Sequence, residues 1–299
     1  MSAITETPMD QGPEKQKKSS NMFLTIMRHI LSNRLAIICL GIIVIQLIMA
    51  IFAPFIVLHD PVAQNLAATH LPVGSDGHWL GTDQYGRDVW SRLVYGARIS
   101  LMVGIFATVL GLIGGIILGV LAGYYRHLDA IIMRIIDLMF AFPSILLALL
   151  IISILGTSLT NVVIAISIWS VPSFARIIRG SVLAVKNQEY ILALRSMGAS
   201  DLRIIILHIL PNCMAPIIVI GTMNIATAIL STASLSYLGL GAQPPTPEWG
   251  ALIADGQSQM WVAPHLVIIP GIAIMLVIFA FNIVGDAIRD ALDPRMLND

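Results

Sequence analysis

Long stretches without a charged side chain constrain this chain more than any other feature of its sequence. A helix needs about 20 apolar residues to cross the hydrocarbon of a membrane. We predict six such spans: Leu35–Leu58, Ile99–Tyr124, Ile135–Leu155, Asn161–Ile178, Ala215–Leu240 and Leu266–Val284. Because these runs lack the residue-by-residue alternation of a membrane β-barrel, the sequence predicts an all-α integral membrane protein with six transmembrane helices.

The composition supports a membrane location. Hydrophobic residues make up 57% of the 299 residues and charged residues 11%, whereas soluble domains average roughly 25% charged. The 17 basic and 17 acidic residues give a formal net charge of zero. These values exclude a disordered chain, a nucleic-acid-binding protein with a basic face and an acidic solvating protein. The lipid bilayer is therefore the first expected partner.

The distribution of Lys and Arg predicts the orientation in the membrane. Only Arg87, Arg92 and Arg98 fall on one side of the predicted spans, and the other 14 of the 17 basic residues fall on the opposite side. Since basic residues favour the cytoplasmic side, both termini are expected to be cytoplasmic. The first twenty residues are polar and are expected to be disordered. The predicted parts are a tail 1–33, a first helix with an extracytoplasmic loop 34–98, and a core 99–299 with a cytoplasmic loop 186–211.

The predicted spans lack the groups that energise transport. Asp137, at the cytoplasmic end of the third span, is the nearest exception, and we interpret it as a helix-end partner of Arg134 rather than a proton relay. None of the four lysines follows a glycine, so the chain has no phosphate-binding P-loop. Any ATP hydrolysis must come from another subunit, and no catalytic residue is assigned to this chain.

Neither cysteines nor histidines indicate a metal site. Cys39 and Cys213 lie inside apolar runs, and no two of the seven histidines are spaced i, i+4. In the second span, glycines recur every four residues from Gly111 to Gly123, which allows close helix approach. That strip could serve internal packing, which we favour, or a dimer interface.

The loop between the fourth and fifth spans has an amphipathic helical pattern. We predict a helix over Gln188–Met197, a stop at Gly198, and a second helix with Ser200 as its N-cap. The second helix is expected to run through Leu210 and to end at Pro211. We call residues 188–211 the knob. The pattern alone fits a hairpin lying on the bilayer and a docking element for a cytoplasmic partner equally well.

The knob resembles the EAA loop of ABC-importer permeases. The matching segments run from Glu189 to Asp201 and from His208 to Pro211, with Leu192-Ala193-Leu194 where the family often has Glu-Ala-Ala. The resemblance implies that the loop inserts into a groove on an ATPase subunit and transmits its closure to the membrane helices. The residues implied in this coupling are Glu189, Tyr190, Leu192, Ala193, Gly198, Ala199, Ser200, Asp201, Leu210 and Pro211.

Three further segments resemble the C-type permease subunit of dipeptide, oligopeptide, glutathione and nickel importers. They are Leu80–Arg92, Leu238–Gly250 and Asn282–Arg295, and the resemblance covers residues 22–297. It implies a type I ABC importer permease (MetI-like) fold in the bacterial cytoplasmic (inner) membrane. The implied partners are a second permease subunit in a heterodimer, two cytoplasmic ATPases and an extracytoplasmic solute-binding protein.

The resemblance also implies a function and its alternatives. The chain would translocate dipeptides or oligopeptides and would bind no cofactor itself, because ATP and Mg would lie on the ATPase subunits. The alternatives are an importer subunit for glutathione or a nickel chelate, an ion-coupled secondary transporter, and a scaffold without transport. No substrate-binding residue is assigned.

Two of the resembling segments also have a direct physical interpretation. Asp88 and Arg92 are four residues apart, so we expect a short surface helix with a paired face or a contact for a delivering partner. The prolines from Pro244 to Pro247 force an extended outer loop. Trp249 and Trp261 beside it are expected to anchor at the membrane interface.

Overall fold

The computed structural model describes residues 22–292, which form helices and loops without a β-strand in that range. The expected disorder of the first twenty residues falls outside the described residues. The helices are α1 Met22–Ser32, α2 Arg34–Ile51, α3 Ala53–Ile56, α4 Val89–Tyr124, α5 Arg126–Phe140, α6 Ser144–Leu155, α7 Leu159–Lys186, α8 Glu189–Ser196, α9 Asp201–Ile204, α10 Leu210–Asn212, α11 Met214–Tyr237, α12 Trp249–Gln257 and α13 His265–Leu292.

Five of these helices are long and apolar enough to cross a membrane, and α5 with α6 can form a sixth span. Helices α4 and α7 pack side by side in the same direction, because Gly111 faces Ser170 and Gly123 faces Val182. The chain between two parallel spans has to return across the membrane. The bent pair α5–α6 is therefore one crossing, which confirms the prediction of six spans.

The third span differs from its predicted form. The sequence indicated one continuous helix over Ile135–Leu155, but α5 and α6 meet at an angle of 93°. Helix α5 ends at Phe140, and Pro143 precedes the first residue of α6 with an extended ψ of 131°. Proline disfavours helical backbone in the residue before it and cannot donate a helical hydrogen bond. A hydropathy profile does not detect either effect, because both act through the backbone.

The glycine strip of α4 is used for packing within the chain. A Cβ added at Gly119 would lie 2.7 Å from the Ala175 carbonyl oxygen, and one at Gly123 would lie 2.7 Å from Val182 Cβ. Both distances are shorter than van der Waals contact, so only glycine allows α7 to approach this closely. The favoured interpretation of the strip as an internal interface is thus confirmed among the described residues.

Helix α11 packs against α4 in the opposite direction. Gly104 lies against Ile229, and the Asn224 side-chain amide donates a hydrogen bond of 3.1 Å to Thr108 Oγ1. A large apolar cluster joins α11 to α1, α2, α12 and α13. The bundle has two ends: the loop end holds residues 57–88 and 238–264, and the opposite end holds the knob.

Candidate functional site: the knob and the loop end

The first half of the knob folds as its sequence predicts. Helix α8 covers Glu189–Ser196, and Gly198 follows with φ of +81°. The backbone N–H of Ala199 donates to the Leu194 carbonyl at 3.1 Å, which closes the helix end. Glycine adopts this left-handed conformation without steric cost, so the chain turns sharply there.

The second half of the knob differs from the prediction. Ser200 precedes α9, but its side chain makes no capping hydrogen bond. A π-helical turn over Ile205–Ile209 follows α9, and Pro211 lies in the first turn of α10 instead of ending the helix. A proline ring clashes with the carbonyl four residues earlier in a regular helix. The wider π turn shifts the carbonyls out of that register and accommodates Pro211.

Polar contacts fasten the knob to the end of α4. The Tyr124 hydroxyl donates a hydrogen bond of 2.5 Å to Asp201 Oδ1, and Lys186 Nζ donates one of 2.5 Å to the Tyr124 carbonyl oxygen. The Arg195 guanidinium lies 4.8 Å from the centre of the Tyr124 ring. Since Tyr124 is itself buried, these contacts join the knob directly to the end of α4.

Apolar packing supports the same junction. Ile191, Ile204 and Ile209 are fully buried in a cluster with residues of α4 and α7. Cys213 is buried at the base of the knob, and burial raises the pKa of its thiol to about 11. The thiol therefore stays protonated near neutral pH and is a weak nucleophile.

The outer surface of the knob is exposed and partly apolar. Met197 is 74% exposed, Leu202 is 68% exposed and Leu192 is 52% exposed. Among the residues assigned from the sequence, Ala199 and Leu210 are partly buried, and the exposed ones are Glu189, Tyr190, Leu192, Ala193, Gly198, Ser200, Asp201 and Pro211. Clustered exposed apolar side chains mark a contact surface for a protein or a membrane.

Sequence reasoning missed Tyr124, Lys186 and Arg195 as members of this site. Tyr124 and Asp201 are 77 residues apart, so no local pattern connects them. The available signal was weak: Tyr124 ends a long apolar run, where a phenol hydroxyl needs a polar partner.

Asp137 pairs with a different residue than the sequence indicated. Its carboxylate accepts a hydrogen bond of 2.7 Å from Arg176 of α7, not from Arg134 of its own helix. Both side chains are about half exposed, so the pair contributes at most about 1 kcal/mol. Nearby, Arg179 donates two hydrogen bonds to Asp129, of 2.5 and 2.7 Å, and joins α7 to α5.

At the loop end, the expected surface helix with an Asp88–Arg92 pair is wrong. Both residues are only 2% exposed. Asp88 instead caps α4 by accepting a hydrogen bond of 2.8 Å from the Ser91 backbone N–H, while Arg92 lies 3.3 Å from Asp255. The 238–264 segment folds over the start of α4 and buries these charges.

Arg87 and Arg92 share two carboxylates. Arg87 Nε lies 2.6 Å from Asp83 and its Nη2 lies 3.2 Å from Asp255. The two positive charges of the arginines are matched by the two negative charges of the carboxylates. Buried charges need such partners, because an unpaired charge away from water is strongly destabilising. The network ties residues 83–92 to α12.

Trp249 is buried, so its interpretation as an interfacial anchor is wrong. Its side chain packs on Gly96, and its Nε1 donates a hydrogen bond of 3.0 Å to the Leu93 carbonyl oxygen. The preceding Glu248 is also buried and accepts a hydrogen bond of 2.9 Å from Ser100. Trp261, in contrast, is 95% exposed, as an interfacial residue would be.

Two family models match this chain. "Binding-protein-dependent transport system inner membrane component" matches residues 115–298, which include the knob, and "N-terminal TM domain of oligopeptide transport permease C" matches residues 22–72.

Solved structures share the fold. The methionine ABC transporter MetNI in inward-facing conformations gives a TM-score of 0.52 at 20% identity, covering 67% of this chain and 97% of that chain. An amino acid ABC transporter gives 0.52 at 17% identity, covering 67% and 94%.

Curated relatives match most of the chain. The dipeptide transport system permease protein DppC of Alkalihalophilus pseudofirmus is 47% identical over 98% of this chain and 96% of its own length. The glutathione transport system permease protein GsiD of Pectobacterium atrosepticum is 52% identical over 74% of each chain. This protein therefore belongs to the family of binding-protein-dependent transport system inner membrane components, as a C-type ABC permease of the bacterial inner membrane.

Proposed function

We propose that this permease is one transmembrane subunit of an ATP-driven importer of dipeptides or oligopeptides. The observation that carries the proposal is the knob, whose exposed apolar surface is directly joined to α4 through Tyr124. A surface that binds a partner can move a membrane helix only if the two are mechanically connected. The knob meets that requirement, and the bundle holds no P-loop of its own.

The proposal includes an orientation and a set of partners. The order of the spans in the sequence assigns 14 of the 17 basic residues to the same side as the knob, which supports a cytoplasmic knob and cytoplasmic termini, with the loop end facing outward. The knob would dock on one of two ATPases, which would carry ATP and Mg, and the loop end would receive a solute-binding protein. A related permease would complete a heterodimer around the pathway. The core would be residues 99–299, preceded by the tail 1–33 and the segment 34–98.

The mechanism follows from the contacts of the knob. Closure of the ATPases would displace α8 and α9, and the Tyr124–Asp201 hydrogen bond would pass that displacement to α4. Because α4 and α7 are in close contact along the glycine strip, they would move as one unit. ATP can drive this change only if the ATPases contact the knob differently in their open and closed states.

Replacing Tyr124 with Phe tests the junction. The substitution removes the hydrogen bond to Asp201 and keeps the ring under Arg195. A hydrogen bond to a charged group contributes about 1.5–3 kcal/mol, so we expect uptake to fall about tenfold at unchanged protein level.

The control for that variant is Tyr125→Phe, because the Tyr125 hydroxyl has no hydrogen-bond partner within residues 22–292. Asp201→Ala, which removes the acceptor, and the double variant complete a cycle with Tyr124→Phe. We expect the double variant to be no worse than either single one. Additive losses, or an equal loss in Tyr125→Phe, would show that the hydrogen bond does not carry the coupling.

The substrate assignment has a second candidate. The dipeptide permease relative covers nearly the whole chain, but glutathione permease relatives reach 52% identity. Separate uptake assays with a labelled dipeptide and with labelled glutathione in the reconstituted importer decide between them. We expect the dipeptide to be taken up. Uptake of glutathione without uptake of the dipeptide would replace the peptide assignment.

A further inference from the structure

Three potential metal ligands meet at the loop end, away from the knob. The ligand atoms of His59, His78 and Asp88 all lie within 4.8 Å of one another. They come from three segments: the chain after α3, the turn at residues 75–79 and the start of α4. No metal site was predicted from the sequence, because these residues are 19 and 10 positions apart rather than on adjacent helical turns.

Hydrogen bonds hold the three side chains in place. Asp88 Oδ2 accepts from the backbone N–H and the hydroxyl of Ser91, at 2.8 and 2.6 Å, whereas Asp88 Oδ1 faces His78 Nδ1 at 2.9 Å. His59 Nε2 lies 2.8 Å from the Gly77 carbonyl oxygen, and its backbone N–H donates to the Ser91 hydroxyl at 3.2 Å. Nδ1 of His59 is thus not used by these bonds, and an ion would replace the hydrogen bond between Asp88 Oδ1 and His78 Nδ1.

The chemistry of the three ligands selects a class of ion. Imidazole nitrogens with one carboxylate suit Zn²⁺ and other first-row divalent ions, whereas Ca²⁺ and Mg²⁺ prefer oxygen ligands alone. We propose that His59, His78 and Asp88 form a binding site for a Zn²⁺-like divalent ion. His59 is exposed, so water can supply the remaining ligand.

The geometry requires only a small adjustment. Zinc bonds of about 2.0–2.2 Å in a tetrahedral site place ligand atoms roughly 3.4 Å apart. The observed ligand atoms are up to 4.8 Å apart, so the His59 ring has to rotate toward His78 and Asp88. Because His59 is exposed, it has room for that rotation. The positive N-terminus of α4 opposes a cation with about half an elementary charge. The full negative charge of Asp88 outweighs it.

An ion at this site would connect the three loop-end segments. It would tie residue 59 and the 75–79 turn to the first turn of α4, beside a groove lined by residues 57–62, Tyr95 and residues 245–247. The site makes no contact with the knob, so ion binding does not depend on the proposed transport function.

Zinc titration of the purified full-length chain tests the site. The protein in detergent is treated with a chelator and titrated with Zn²⁺ by calorimetry, and with Co²⁺ by visible absorption. We expect one ion per chain and a tetrahedral Co²⁺ spectrum. His59→Gln and His78→Gln should each weaken binding about 10–100-fold, at least as much as the loss of an outer-shell partner does.

The matched control is His127→Gln, because His127 is an exposed histidine on α5, near the opposite end of the bundle. Its variant should bind like the unaltered protein. Histidine variants are preferred to Asp88 variants, because Asp88 also caps α4. Absence of stoichiometric Zn²⁺ binding would overturn the proposal, and so would equal affinity in all three variants.

Discussion

Replacing Gly198 with tryptophan is expected to reduce uptake to background while the protein still inserts into the membrane. Gly198 has φ of +81°, and a Cβ at this position would have no atom within 4 Å. The left-handed backbone costs an L-residue about 1–2 kcal/mol, which strains the turn between α8 and α9. The indole itself would project into the space where we propose that the ATPase docks. Uptake and co-purification of the ATPase subunits are the measurements.

Two variants separate strain from obstruction at Gly198. Gly198→Ala carries the backbone strain without the bulk, so it should lose only part of the uptake. Gly74→Trp has the same open surroundings and φ of +88° at the loop end, so it should leave ATPase co-purification intact. Normal uptake by a well-expressed Gly198→Trp variant would refute the coupling role of the knob.

Replacing Gly115 with valine is expected to prevent stable folding of the α4–α7 pair. A Cβ at Gly115 would overlap Phe174 Cβ and lie 3.2 Å from the Ala175 backbone nitrogen. Overpacking of an interior costs about 1–3 kcal/mol when neighbours can shift, and backbone on one side leaves little room to shift. We expect a lower yield of monodisperse protein and a lower unfolding temperature.

The matched control is Gly41→Val in α2. It makes the same change within a membrane helix, but no atom lies within 4 Å of an added Cβ at Gly41. Its yield and unfolding temperature should stay close to those of the unaltered protein. If Gly115→Val and Gly41→Val behave alike, the strip does not set the distance between α4 and α7.

The fold was predictable from the sequence where hydropathy decides it. Five spans coincide with long uncharged runs, because the cost of burying charge in lipid dominates there. The break between α5 and α6 was not predicted, since Pro143 acts through backbone conformation and leaves hydropathy unchanged. Helix α4 begins at Val89 rather than Ile99. Its first turns are charged but buried by the 238–264 segment.

The candidate site was predictable only in its local part. The turn at Gly198 follows from a helix pattern that ends in glycine, and the structure has that turn. The junction of Tyr124 with Asp201 and the pairing of Arg92 with Asp255 depend on tertiary contacts. For Asp88 and Arg92, the i, i+4 spacing suggested a local pair. Each residue instead has a stronger partner: Asp88 has the free N–H groups of the helix start, and Arg92 has a distant carboxylate.

We propose that this permease takes its energy from ATP through the knob. Uptake into vesicles that contain the permease pair, the ATPases and the binding protein tests it most directly, with no ion gradient across the membrane. We expect uptake when ATP is present on the side of the membrane where the ATPases lie, and none when Gly198→Trp replaces the unaltered chain. Uptake driven by an ion gradient without ATP would contradict it.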